Sequence, residues 1–321
     1  MSNLTVVMYH YVRPIKGSRY SEIKGLEYSD FIEQILFIKK HYNPISMQEA
    51  INSFYNNEKL PENAVLLTFD DAYSDHFKYV YPILKKNGIQ GSFYAPAKTI
   101  ADKEILDVNK IHFILASCTD INILIKKTEV LFDKYKVNYN VRKFHEYFEE
   151  LAIANRFDFK EVIFFKRLLQ FALPEKMRGE ICDELFKAYV GIDESAFCDE
   201  LYMNQDQLKH LVSDGMHIGS HGYNHYWWNK LDIQTLSHEI DKSLDFLSSL
   251  NIDTKNWTAC YPYGSSSDEV VQVLKNKGCK LAFTTTPDVA QTNITNPLLI
   301  PRLDTNDLPK ISTAKPNSWY R

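Results

Sequence analysis

The sequence predicts an α/β fold in which parallel strands carry the chemistry and a long helical block interrupts them. Three observations predict it. The run Val65-Leu66-Leu67-Thr68-Phe69 is short, β-rich and too apolar for a surface strand, and it ends in two adjacent acids, Asp70 and Asp71. Behind it, a helical stretch over 77–87 and an apolar stretch over 89–95 complete the strand, helix, strand unit that parallel pairing requires. Between about 100 and 203 the pattern turns charged, aromatic and helical in period, with few turn signals and no clear strand.

Taken in order, residues 4–8 form another apolar run that ends in polar groups, Tyr9-His10-Tyr11, as a barrel strand delivering a site residue would. A buried strand with a satisfied histidine fits the same residues. Beyond an irregular loop, Phe31, Ile32, Ile35, Leu36 and Ile38 recur at helical spacing behind Ser29, the expected N-cap. Ser46-Met47-Gln48-Glu49 is a capping box for the next helix, which stops before Pro61. Gly88 is placed to end the helix behind the acidic strand. After the helical block, Asn204 caps a helix that Gly215 ends, and 216–220 is a strand running into His221. A helix over 232–250, a strand over 257–260, a helix capped by Ser267 and ended by Gly278, and a strand over 281–285 follow. Residues 1–99 and 204–310 are thus one discontinuous α/β domain, 100–203 a helical insertion and 311–321 a polar C-terminal tail. The insertion sits between two strands that lead to the same end of the sheet, which makes it the expected substrate selector. Its apolar stretch over 162–169 is expected to be its own core, with a dimer or membrane-surface contact as the alternative.

A chain of 321 residues with 45% hydrophobic content can bury a sizeable core. With 37 basic and 41 acidic side chains the formal charge is −4, which gives no footprint for nucleic acid or an anionic membrane. Five widely spaced cysteines form no disulfide framework or zinc knuckle and suit a reducing compartment. The first residues lack a basic region and a long apolar core, and no stretch approaches about 18 apolar residues. The expectation is a cytoplasmic protein without a transmembrane segment, although a chain trimmed of its signal would look the same.

Two acids at one strand end repel unless a cation or a proton separates them, so Asp70 and Asp71 raise the question of a metal; alone, the pair also fits a helix-capping turn. Ser220-His221-Gly222-Tyr223-Asn224-His225 answers it, because two histidines four apart on a helical turn face the same side. One Asp and two His leave open positions for water and substrate, as catalytic divalent sites do.

Thr68-Phe69-Asp70-Asp71, Ser220-His221-Gly222-Tyr223-Asn224-His225 and Tyr261-Pro262-Tyr263-Gly264 resemble, in order, the first three motifs of the polysaccharide deacetylase family, the NodB-like carbohydrate esterases. The resemblance spans about 4–305 apart from the insertion. It implies a deformed (β/α)7 barrel and hydrolysis of an N-acetyl or O-acetyl group on a sugar, with a divalent ion, zinc first and nickel, cobalt or manganese as alternatives. Carried over, Asp71, His221 and His225 hold the ion, Asp70 is the general base and the backbone N–H of Tyr263 serves the oxyanion.

The chain departs from the family twice. Many members carry Arg three residues before the third motif's second Tyr, where this chain has Cys260, and Arg302 is the candidate to orient Asp70 instead. The family's C-terminal histidine acid is absent, since no histidine follows His238. His10 is the candidate replacement: first and last strands of a closed barrel are neighbours, and the layout resembles the permuted poly-N-acetylglucosamine deacetylases, which carry this histidine near the N-terminus. Trp227, Trp228 and Tyr261 are expected to contact the sugar, as aromatics beside such sites do, with core packing the commoner fate of Trp. The reading is therefore a metal-dependent N-deacetylase acting on an N-acetylated saccharide. A formamide or cyclic-amide hydrolase on the same barrel and a silent glycan-binding protein are the alternatives.

Overall fold

The computed structural model describes residues 2–155 and 158–320, so positions 1 and 321, the outer ends of the expected bounds, lie outside the described residues. The chain divides into two compact units. The first comprises Met1–Pro14, Gly25–Glu104 and Cys198–Arg321, and the second Ile15–Lys24 and Ile105–Phe197.

The first unit is a curled, mostly parallel sheet with helices outside it. Six strands pair in sequence order: β1 (Asn3–Tyr9), β2 (Ala64–Asp70), β3 (Gly91–Ala95), β4 (His217–Ser220), β5 (Thr258–Cys260) and β6 (Leu281–Phe283). A seventh, β7 (Leu303–Asp304), returns to pair in parallel with β1, Leu303 opposite Val7. Just before it, Ile300 bridges to Phe283, and the Thr284 N–H donates to the Ile300 carbonyl at 2.8 Å. Seven staves therefore close the sheet on itself, in the deformed (β/α)7 form the motifs imply.

Strand alternation decides what faces the interior. In β2, Val65, Leu67 and Phe69 pack with the helices, while Ala64 and Leu66 join Leu4, Val6, Cys260 and Phe283 in the inner cluster. The Tyr94 hydroxyl reaches across that interior to Thr258 Oγ1 at 3.0 Å. Thr68 and Asp70 share the parity of Leu66, and so Asp70 emerges inside the top of the barrel.

Helix ends follow local chemistry. The Ser46 capping box forms, with the Ser46 N–H bonded to Glu49 at 2.7 Å. Asn204 and Gln207 make another at the start of Gln205–Ser213, Asp232 caps Ile233–Ser249 and Ser267 caps Asp268–Asn276. Ser29 does not cap its helix. The chain enters Tyr28–His41 directly from Leu26–Glu27, which is paired with Val12–Arg13, so the helix starts before Ser29 can act. The helix expected over 77–87 begins with a π-helical turn, His76–Val80, and continues as Tyr81–Asn87 to Gly88, whose φ of 66° is left-handed.

The stretch after 310 is not a free tail. Ser312 N–H donates to Glu33 at 2.9 Å, and Trp319 and Tyr320 pack against the main core, Tyr320 edge-on to Tyr42 at 5.2 Å.

The second unit is helical, with no strand among its described residues. Ile163, Phe164, Phe165, Leu168 and Leu169 are buried in it, and the Phe164 ring meets Phe144 at 5.2 Å. That stretch is core, which removes it as a membrane or dimer surface. The loop 15–24, assigned by sequence to the α/β domain, groups here instead: Tyr20 packs edge-on to Phe113 at 4.8 Å and Lys24 pairs with Asp158. Among the described residues no helix is long and apolar enough to cross a membrane.

Candidate active site

Asp70 lies 1% exposed at the end of β2, where Arg302 meets both of its oxygens. Arg302 Nη1 donates to Oδ1 at 2.9 Å and Nη2 lies 2.8 Å from Oδ2. The guanidinium is itself buried and fixed by three further contacts, Nε to the Thr284 carbonyl at 2.8 Å, Nη1 to Thr68 Oγ1 at 3.2 Å and Nη1 to Cys260 Sγ at 3.1 Å. Burial alone would raise the Asp70 carboxyl. The Arg302 charge outweighs it and holds the group well below the ordinary carboxylate range. Arg302 thus meets Asp70, and the small Cys260 leaves room for it.

The backbone turns sharply after Asp70. Asp71 and Ala72 have φ of 74° and 51°, left-handed values that side chains resist, and this kink swings the second carboxylate to the same mouth as the first. His225 (φ 59°) and Tyr263 (φ 57°) are equally unusual, so four of the eight such non-glycine residues described lie at this one place.

The two histidines do not sit on a helical turn as expected; residues 221–227 form an irregular loop. Gly222, at φ 77°, and His225 fold the loop back so that the rings still meet, with centroids 4.7 Å apart. Outside contacts hold it. The Asn224 N–H donates to Glu239 of Ile233–Ser249 at 2.9 Å, and the Gly222 carbonyl accepts from Ala97 N–H at 3.0 Å.

Asp71, His221 and His225 form a buried cluster fit for a metal ion. Their facing atoms are 3.2 Å apart between the two Nε2 atoms, and 3.6 and 3.5 Å from these to Asp71 Oδ1. Bonds of about 2.0–2.2 Å in tetrahedral array would set neighbouring donors about 3.3–3.6 Å apart, so the spacing fits. Oδ1 is buried and accepts no hydrogen bond. The His221 Nδ1–H donates to the Cys260 carbonyl at 2.8 Å, which leaves Nε2 as the bare nitrogen. Burial pushes His221 down to about 4 and His225 down to about 3, so both rings are neutral, as ligands must be.

His10 follows β1 directly, its Nε2 4.0 Å from Asp70 Oδ2 and its side chain 40% exposed. Its carbonyl accepts from the buried His76 ring at 2.8 Å. Tyr263 packs its ring 4.6 Å from His225, and the half-buried Trp227 stacks on Tyr263 at 4.6 Å and 10°. Trp228 and Tyr261 are not placed to contact a sugar. Both are fully buried, edge to face at 5.6 Å, with the Tyr261 hydroxyl donating to the Leu298 carbonyl, so neither ring has an open face. Sequence reasoning missed Tyr73, whose hydroxyl donates to Asp71 Oδ2 at 2.6 Å, and Glu239. Tyr73 could have been suspected from its place two residues after Asp71; nothing in the sequence marks Glu239.

The sequence profile of the polysaccharide deacetylase family matches residues 57–114 and 187–282, which contain Asp70, Asp71, His221, His225 and Tyr263. The chain carries a polysaccharide deacetylase domain. The chain is 35% identical over 65 residues to YxkH, a Bacillus subtilis protein named for the same family, a match spanning 20% of this chain and 23% of that relative. Two solved structures resemble it over nearly their whole length. One is the Streptococcus pyogenes deacetylase PplD in complex with acetate, at 17% identity and TM-score 0.58, covering 94% of this chain and 92% of that one. The other is a de-N-acetylase from Aggregatibacter actinomycetemcomitans, at 16% identity and TM-score 0.57, covering 98% and 97%. At these identities the likeness establishes the shared fold. His10 and Arg302 lie outside the profile match, so their place in the deacetylase domain rests on the geometry alone.

Proposed function

We propose that the chain is a metal-dependent deacetylase that hydrolyses an acetamide on an N-acetylated sugar to the free amine and acetate. One observation carries the reading: a buried three-donor cradle stands beside a carboxylate, Asp70, that Arg302 keeps ionised and that is no part of the cradle. A silent glycan-binding protein has no use for such a group. The solved structures accord with it, one being of a de-N-acetylase and the other of a deacetylase in complex with acetate, the product expected here.

Asp71, His221 and His225 would hold a divalent ion, zinc by their donor set, which would lend Lewis acidity to the attacking water and the acetyl carbonyl. Asp70 takes a proton from the water as the oxygen bonds to the acetyl carbon. Its two-point tie to Arg302 fixes its direction and keeps it charged despite burial. The Tyr263 backbone N–H is assigned the charge that grows on the carbonyl oxygen. His10 gives a proton to the sugar nitrogen as the C–N bond breaks, and its half-open position allows it to reload from solvent. Trp227, stacked on Tyr263, is the aromatic left to meet a sugar ring. The placement of His10 beside the last stave accords with the permuted poly-N-acetylglucosamine type. Five free cysteines, four of them buried, accord with a reducing compartment, and the reading places the enzyme in the cytoplasm.

The test is acetate release from a panel of N-acetylated mono- and oligosaccharides by the purified chain, with formate and ammonia release measured in parallel on formamides and cyclic amides. Acetate release abolished by a chelator and restored by zinc is expected. Formate or ammonia release without acetate would overturn the substrate class, and metal-independent turnover would overturn the mechanism.

A further inference from the structure

Asp71 offers the cradle one oxygen, and the reason lies in the residue behind it. Its Oδ2 accepts the Tyr73 hydroxyl at 2.6 Å, while Oδ1 alone faces the two histidines. The Tyr73 ring cannot follow the carboxylate if it turns. It is fully buried, stacked on Tyr11 at 4.1 Å and 19°, parallel to Tyr202 at 6.2 Å, and tied to Tyr202 by a backbone bridge. A carboxylate swinging both oxygens to an ion would have to abandon this short bond while buried.

We propose that Tyr73 is a positioning residue that holds Asp71 as a one-oxygen ligand and so biases the cradle toward a small four-coordinate ion over larger ions of higher coordination number. The inference rests on the metal reading above. Asp plus two His with a one-oxygen Asp leaves a zinc ion its fourth position for water. Larger, harder cations take more oxygens and gain from a carboxylate that binds through both. The phenol therefore works for the first class and against the second. Removing an outer partner of a metal ligand weakens metal binding by roughly 10–100-fold. A selecting role adds a signature that a merely structural one lacks, namely that the loss is unequal between ions.

The experiment compares the full-length wild-type chain, Tyr73→Phe and His221→Ala by competition with a chromophoric chelator, for zinc and for manganese. Tyr73→Phe keeps the ring and removes the hydroxyl. The expected result is a zinc affinity lower by roughly 10–100-fold with manganese affinity changed much less, so that the preference narrows. Unchanged zinc affinity in a folded variant, or equal losses for both ions, would overturn the inference while leaving the metal reading intact. A wild type that binds no more zinc than His221→Ala would overturn the metal reading itself, and the inference with it. If Tyr73→Phe does not fold, cobalt(II) in the wild type decides: strong visible bands of a four-coordinate site are expected, and the weak bands of a six-coordinate site refute it.

Discussion

Replacing Arg302 with Met isolates what holds the proposed general base. The change removes a buried guanidinium that meets both Asp70 oxygens, at 2.9 and 2.8 Å, and leaves a carboxylate 1% exposed with its cation gone. Breaking a buried pair from one side costs about 3–5 kcal/mol, because the surviving charge stays desolvated. The sign with pH follows. In the wild type the folded pKa of Asp70 lies below its unfolded value, so the pair stabilises the protein above the unfolded pKa and that contribution is lost as pH falls. In Arg302→Met, burial is left to act and the folded pKa rises above the unfolded one. The folded state then favours the protonated acid, and stability is lost as pH rises. The deficit against wild type should therefore be near its full value at pH 8 and smaller at pH 5. Urea unfolding of chelator-treated protein at both pH values measures it. Adding Asp70→Asn should recover much of the loss, since a neutral amide needs no counter-charge. A penalty that is equal at both pH values and unchanged in the Asp70→Asn background would refute the reasoning and reduce Arg302 to a packing residue.

Asp70 and Asp71 should separate by assay: Asp70→Asn keeps its metal and loses roughly two to four orders of magnitude in kcat, whereas His221→Ala loses metal and activity together. Metal loss in Asp70→Asn would reverse the two roles. His10→Ala should bind metal normally and lose much of its kcat on amides but less on an activated ester, whose leaving group needs no proton; equal loss on both removes His10 as the acid. His76 is fully buried and pushed down to about 4, below its unfolded value, so the stability it lends is complete above about pH 6.5 and is lost as pH falls toward 4. Wild type should lose roughly 2 kcal/mol more than His76→Asn between pH 7 and 5 in urea titrations, and parallel curves would contradict this.

The strands at 4–8 and 65–69 were legible because each is a short, mostly apolar run, but with both faces buried such a run does not say which side chains face inward. What alternation could not show is the backbone reversal at Asp71 and Ala72, since left-handed φ in non-glycine residues leaves no mark in a sequence. The histidine pair meets Asp71 by another route than the expected one. A spacing of four suggests a helical turn, yet here Gly222 and the clasp from Glu239 bring the rings together. Arg302 was found from a gap, Cys260 standing where an arginine was wanted. Tyr73 was passed over because its role depends on a buried oxygen that only three dimensions place behind it. Trp228 and Tyr261 were misjudged since nearness in sequence to a site residue does not reveal exposure.

The last stave also puts a clock on the enzyme. Asp70 and its counter-charge are 232 residues apart in the chain, so on a ribosome adding about 5–20 residues per second the acid waits roughly 10–50 s for its partner to be made. Until then β2 ends in a charge it cannot bury, and the nascent barrel has reason to stay open at its mouth. The Asp70–Arg302 pair therefore forms only with the 300–304 segment, and a chain released before it would carry Asp71, His221 and His225 and still leave Asp70 without its counter-charge. If Asp70 has the proposed role of base, translation itself acts as the final check on quality, with catalysis withheld from every incomplete product.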